Sequence, residues 1–307
     1  MRKPALVAIA AMTAVSLSAC TYASQETGTS TGASTGAATA AAEGFDPSTV
    51  KVNEEAVALL PQDVVDRGTL RVGMETTYAP AEYLDVDGQT PIGYDVDISE
   101  AIAAALGLEA EIQSAAFDSI IPSIGTKFDA GISSFTITAE REAVADMTSY
   151  LSVGEAYAVA AGNPAGIDAA DLCGATVAVQ TGTIQQDEAN QMAADCDAAG
   201  KDALEVLNYD SQADAATNVV GGKADVLFAD SPIIGYAVAQ TGDQLEQLGD
   251  AFATASQGIV TAQGSEVTDA IALALQGLMD DGTLKSILDA WGASDGMLTT
   301  AEVNPAS

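Results

Sequence analysis

One rhythm, occurring twice, constrains this 307-residue chain more than any other feature. From Thr69 onward, short apolar runs alternate with stretches of helical periodicity. Strands are predicted at 70–73, 110–113 and 128–132, with helices at 96–106 and 118–124 between them. About a hundred residues later, strands at 176–180, 204–207 and 224–228 enclose helices at 184–194 and 212–220. The two halves also end alike, Thr126-Lys127-Phe128-Asp129-Ala130 in one and Gly222-Lys223-Ala224-Asp225-Val226 in the other. A βαβαβ unit must cover its parallel strands with its helices, so each half predicts one layered α/β lobe. Extended segments at 155–161 and 252–262 join the halves, and helices at 266–279 and 284–291 close the chain. Two crossings between two lobes predict a hinge with a cleft.

Open α/β sheets bind ligands beyond the carboxyl ends of their strands. In the first half that place is Ser133-Ser134-Phe135-Thr136-Ile137-Thr138-Ala139-Glu140-Arg141. Thr138 suits an N-cap, with Glu140 and Glu142 in the acidic first turn behind it. The hydroxyls and free N–H groups offer hydrogen bonds, and Arg141 offers a planar two-pronged donor suited to a carboxylate. The matching place in the second half is 180–185, together with Asp230. The chain has no histidine, which excludes Ser-His-Asp and Cys-His catalysis and every histidine metal site. Its net charge is −34 with no basic stripe, which excludes nucleic acid as a partner. No metal, cofactor or catalytic residue is predicted.

Arg2 and Lys3 precede an apolar run at 5–19, too short to span a bilayer comfortably and ordered as in a secretion signal. The run ends Leu17-Ser18-Ala19-Cys20, which resembles a bacterial lipobox with Cys20 as the lipidated first residue; a plain signal cut near Ala19 is the alternative. Residues 21–42 are dominated by Ala, Gly, Ser and Thr and predict a flexible tether spanning roughly 25 Å. With Cys20 lipidated, Cys173 and Cys196 remain as a pair in an oxidising compartment. A disulfide is expected, two buried free thiols being the alternative. The expected organisation is a signal at 1–19, a tether at 20–45, a first lobe at 46–158 and 253–295, a second lobe at 159–252, and a C-terminal tail at 296–307.

Six segments then appear in order: Leu70-Arg71-Val72-Gly73-Met74-Glu75, Tyr78-Ala79-Pro80, Gly93-Tyr94-Asp95-Val96-Asp97, Ala116-Phe117-Asp118-Ser119-Ile120-Ile121-Pro122, Ile137-Thr138-Ala139-Glu140-Arg141 and Val179-Gln180-Thr181-Gly182-Thr183. Together they resemble the polar amino-acid-binding proteins of bacterial ABC importers, family 3 of the extracellular solute-binding proteins, over residues 60–292. The resemblance implies the two-lobed periplasmic-binding-protein fold of type II. It also implies a monomer, held by its lipid at the outer face of the cell membrane, that passes an amino acid to an ABC permease.

By resemblance, Arg141 holds the ligand carboxylate and Asp230 its ammonium. Ser133, Ser134 and Thr136 belong to the site, with the Ser134 carbonyl and the Thr136 hydroxyl accepting from the ammonium. Gly182 and Thr183 add donors from the second lobe, and Tyr78 and Phe117 flank the side chain. Glu75 matches the position where some members meet a cationic side chain. A zwitterion taken out of water needs a fixed cation and a fixed anion a short distance apart. Arg141 and Asp230 lie on different lobes, so the site is complete only when the cleft shuts.

Each residue also has a purely structural role open to it: a surface ion pair for Arg141, a helix cap for Asp230 or Thr183, core packing for Tyr78 and Phe117, a solvated rim for Glu75. Two departures from the family pattern bear on specificity, Ala81 where Phe is frequent and Ile184 where a hydroxyl residue is frequent. The competing functions are a ligand sensor and an enzyme resembling the dehydratases of aromatic precursors that share this fold.

Overall fold

The computed structural model describes residues 45–306. The expected signal, Cys20 and nearly all of the tether lie outside the described residues. Two short helices, α1 (Glu54–Val57) and α2 (Gln62–Arg67), lead into β1 (Thr69–Met74). The first lobe continues with β2 (Thr77–Tyr78), β3 (Glu82–Leu84), β4 (Pro91–Ile92), α3 (Tyr94–Ala105), β5 (Glu109–Ser114), α4 (Phe117–Ser123), β6 (Ala130–Gly131) and α5 (Ala139–Glu142). A long strand, β7 (Ala145–Ala160), crosses to the second lobe, built from β8 (Thr176–Gln180), α6 (Ile184–Ala198), β9 (Glu205–Tyr209), α7 (Gln212–Val220), β10 (Val226–Asp230) and α8 (Ser231–Gln240). The return strand is β11 (Leu245–Ala262), followed by α9 (Glu266–Asp280) and α10 (Thr283–Ala290).

The long strands tie everything into one eight-stranded sheet ordered β5-β1-β6-β11-β7-β10-β8-β9. In the first lobe β5, β1 and β6 run parallel, and in the second β10, β8 and β9 do. This is the doubled α/β architecture expected from the repeated rhythm. The antiparallel pair β7 and β11 supplies the two crossings. Val153 still pairs with Ala255, whereas Glu155 opens the pairing with β10 that runs to Val159. The first crossing therefore sits at Gly154, four residues before the 158/159 boundary drawn from the sequence. Gly154 is required there, since a Cβ would lie 2.9 Å from the carbonyl oxygen of Phe252 on the returning strand. β11 shifts register between Leu248 and Phe252 and again between Phe252 and Ala255, with φ +47° at Ala253. These irregularities carry the strand from one lobe to the other.

Two local expectations change. The strand expected at 128–132 pairs as strand only over β6, and the helix after Thr138 is the single turn α5, closed at Ala143. The small antiparallel sheet β2-β3-β4 leaves no pattern in the sequence, because its strands are two or three residues long and show no period. Residues 297–304 belong to the C-terminal tail expected at 296–307. They lie along the edge of β7 that β10 leaves open, with bridges Leu151–Met297 and Thr148–Val303 and a hydrogen bond of 2.9 Å from the Ser149 N–H to the Glu302 carbonyl. Exposed edges invite pairing with other chains, and this segment covers one.

Cys173 and Cys196 are joined in a disulfide that fastens the approach to β8 onto the end of α6. Among the described residues, no helix is long and apolar enough to cross a membrane.

Candidate functional site

The carboxyl ends of strands from both lobes converge on one small cavity. The first lobe contributes Tyr78, Phe117, the loop residues Ser133, Ser134 and Thr136, and Arg141. The second contributes Gln180, Thr183, Ile184, Gln185 and Asp230. The loop after β6 is set from beneath by two buried acids. Asp95, in the first turn of α3, accepts from the Ser134 N–H (2.8 Å) and hydroxyl (3.2 Å) and from the Tyr150 hydroxyl (2.7 Å). Glu82 accepts from the Ser133 hydroxyl at 2.6 Å. This anchoring holds Ser134 at φ +52°, a conformation that non-glycine residues seldom adopt.

Thr138 caps α5, its hydroxyl accepting from the Arg141 N–H at 3.2 Å, and so fixes where Arg141 leaves the backbone. The guanidinium donates to the Thr136 carbonyl (2.7 Å) and across the cleft to the Gly182 carbonyl (3.1 Å). It sits 5.7 and 5.6 Å from the ring centres of Phe117 and Phe135, which stack on each other at 4.5 Å. No carboxylate of the described residues forms a salt bridge with it. Burial pulls its pKa down, opposed by the charge of Asp230.

Asp230 is 4% exposed. It stands at the N-cap of α8 but makes no capping bond, so its carboxylate remains available to the cavity. One oxygen accepts from the Gln185 amide and the other from the Gln257 amide, both at 2.9 Å. Its backbone N–H donates to the Tyr78 hydroxyl at 3.2 Å. Burial pushes its pKa up to about 6, while hydrogen bonds from Tyr78, Gln185 and Gln257 and the Arg141 charge pull the other way.

The chain's residues 70–294 match the family model of the bacterial extracellular solute-binding proteins, family 3. It belongs to that family. Among its relatives, an arginine-binding protein of Corynebacterium glutamicum is 36% identical over 253 residues, covering 81% of this chain and 83% of that protein. An L-cystine-binding protein of Escherichia coli is 30% identical, covering 76% of this chain and 85% of its own length. An ancestral arginine-binding protein bound to arginine superposes with a TM-score of 0.67 at 30% identity, over 73% of this chain and 98% of the other. So does an ancestral amino acid-binding protein described as a precursor of cyclohexadienyl dehydratase, with a TM-score of 0.67 at 28% identity, over 76% and 99%. The fold of this solute-binding protein is accordingly the two-lobed type II arrangement.

Eight of the ten site residues named from the sequence line the cavity: Tyr78, Phe117, Ser133, Ser134, Thr136, Arg141, Thr183 and Asp230. Some of their polar atoms are already engaged. The Ser133 hydroxyl faces Glu82 and also accepts from the Glu75 N–H at 3.0 Å. The Thr183 hydroxyl caps α6 by accepting from the Gln186 N–H and donates its proton to the Gln180 carbonyl at 2.7 Å. Gly182 does not line the cavity but gives Arg141 its carbonyl. Glu75 also lies outside the lining. Its carboxylate accepts from the Thr77 hydroxyl (2.9 Å) and the Gln180 amide (2.9 Å), so it reaches the cavity only through Gln180. Of the two departures from the family pattern, Ile184 lines the cavity, whereas Ala81 is buried in the main core cluster.

Gln180, Ile184 and Gln185 are the lining residues that were not singled out as ligand-binding. Their segment, 180–185, was marked by the strand-end rule. Which of its side chains turn inward depends on how α6 docks, which no local pattern reports.

Proposed function

We propose that this solute-binding protein captures an α-amino acid between its lobes and, held to the cell surface by lipid at Cys20, delivers it to an ABC permease. One observation carries the reading: Arg141 from one lobe and Asp230 from the other face one cavity as opposite charges, and neither forms an ion pair among the described residues. Isolated buried charges are costly, and a zwitterion of matching polarity removes the cost for both at once. In this reading Arg141 takes the carboxylate, Asp230 the ammonium, Tyr78 and Phe117 the flanks, and the Ser134–Thr136 loop with Thr183 the remaining polar contacts. The names of the relatives, which include arginine- and cystine-binding proteins, favour a polar amino acid. Glu75 acts on the ligand side chain through Gln180 rather than by direct contact.

The protein acts by binding: Arg141 and Asp230 match the two charges of a free amino acid, and the relatives bear the names of binding proteins. A thermal-shift screen of residues 45–307 against the twenty common amino acids tests the reading. A ligand that binds only the folded state raises the melting temperature. A rise with one or a few polar amino acids is expected. No rise with any of them would overturn the proposal and direct attention to dehydratase substrates.

A further inference from the structure

A third acid stands behind the cavity. Glu155, on β7 at the hinge, is paired in register with Asp230 on β10 and is 2% exposed. The Gln185 amide nitrogen bridges the two acids, donating to Glu155 Oε1 at 3.0 Å and to Asp230 Oδ1 at 2.9 Å. The other oxygen of Glu155 is buried and receives no hydrogen bond from a donor among the described residues, while the Glu188 carboxylate lies within hydrogen-bonding reach of the acid. No basic side chain forms a salt bridge with Glu155 among the described residues. We infer that Glu155 holds a proton in the empty protein and releases it when a cationic group settles against Asp230, so that ligand capture is coupled to proton release.

The groups around Glu155 favour this from every side. From α6 it meets the Glu188 carboxylate, and from β10 the carboxylate of Asp230, and both repel a second negative charge. From β11 it meets Phe252, its register partner, which carries no charge. Along its own strand the nearest titratable group is Tyr157, which stays neutral because burial and the same two glutamates push its pKa up to about 12. Burial first, then Glu188, pushes the pKa of Glu155 up to about 8. Arg141 acts on Asp230, at the far side of the bridge. An ammonium in the cavity adds a positive charge within reach of both acids, which lowers the pKa of Glu155. The proton passes to solvent. Because the empty protein binds more protons than the loaded one, affinity rises with pH over the window below about 8, by at most about tenfold per pH unit for one proton. Glu155 is thus a positioning residue that acts through Gln185 and Asp230.

This inference rests on the amino-acid reading above, and its test separates the two. Calorimetric titration at pH 7, in two buffers of different ionisation enthalpy, counts protons released per ligand; the probe is whichever common amino acid gives the largest thermal shift. The wild type is expected to release a substantial fraction of a proton. Glu155→Gln, which mimics the protonated acid, should bind with that release removed, and this difference also subtracts any contribution from the ligand's own groups. Glu188→Gln, which removes the repelling charge, should bind with a smaller release at pH 7. Binding without proton release, or equal release from wild type and Glu155→Gln, would overturn the inference and leave the amino-acid reading intact. If Glu155→Gln does not fold, unchanged release in Glu188→Gln overturns it. Absence of binding by every amino acid would overturn the amino-acid reading first, and this inference with it.

Discussion

Arg141 is held by backbone carbonyls on both sides of the cleft, and among the described residues no carboxylate pairs with its charge. Truncating it removes those two bonds and the contacts with Phe117 and Phe135, and also the charge that would meet a ligand carboxylate. Arg141→Ala is expected to weaken binding by more than about 2 kcal/mol in calorimetric titration, because a ligand carboxylate would lie unpaired in a shut cleft. Unchanged affinity would remove Arg141 from the site. Ser133 makes the opposite case. Its sequence neighbourhood marks it as a ligand contact, yet its hydroxyl is used between Glu82 and the backbone of Glu75. Residue type and position along the strand were enough to find the loop. They did not say which hydroxyl turns outward, because that depends on two acids brought from β3 and α3.

At the scale of elements, the closeness of the two lobes sets the site. The turn ahead of α6 meets α4 so tightly that a Cβ on Gly182 would lie 2.8 Å from the Cβ of Asp118 and 3.1 Å from its Cα. Gly182 also sits at φ +82°, where any other residue is strained. Gly182→Ala is expected to lower stability by about 1–2 kcal/mol through that strain, and to weaken ligand binding roughly tenfold or more by holding the lobes apart. A variant with full affinity would show that binding does not need this degree of closure. In the second lobe, the Cys173–Cys196 bond closes a loop across a sequence separation of 23. Removing it in a Cys173→Ser, Cys196→Ser double variant should lower unfolding stability by about 2–4 kcal/mol in urea titration.

For the whole molecule, buried acids set the response to pH. In the folded protein Asp95 and Asp230 are raised to about 6 and Glu155 to about 8, burial being the largest cause for each. The folded state therefore binds more protons than the unfolded chain between the ordinary carboxylate range and pH 8. Stability contributed by these neutral acids is complete at low pH and is lost as pH rises through 6 and then 8. The net charge of −34 adds self-repulsion in the same direction. The melting temperature of the unliganded protein should be higher at pH 5.5 than at pH 8 at equal ionic strength, and Glu155→Gln should flatten the upper part of that slope. A melting temperature that climbs from pH 5.5 to 8 would contradict this account.

The sequence by itself determined the two α/β lobes, the strand ends that carry the site and the family, because hydrophobic period, helix caps such as Thr138 and short motifs in register are local properties. It also placed α7 at 212–220 as the fold does. Only the tertiary structure decided that Gln185 and Gln257 hold Asp230, that Glu75 stands behind Gln180, and that residues 297–304 seal an edge of β7. Those facts join residues from 27 to well over 100 positions apart. Their contacts follow from how packed layers meet across the hinge, and a chain read locally carries no record of that meeting.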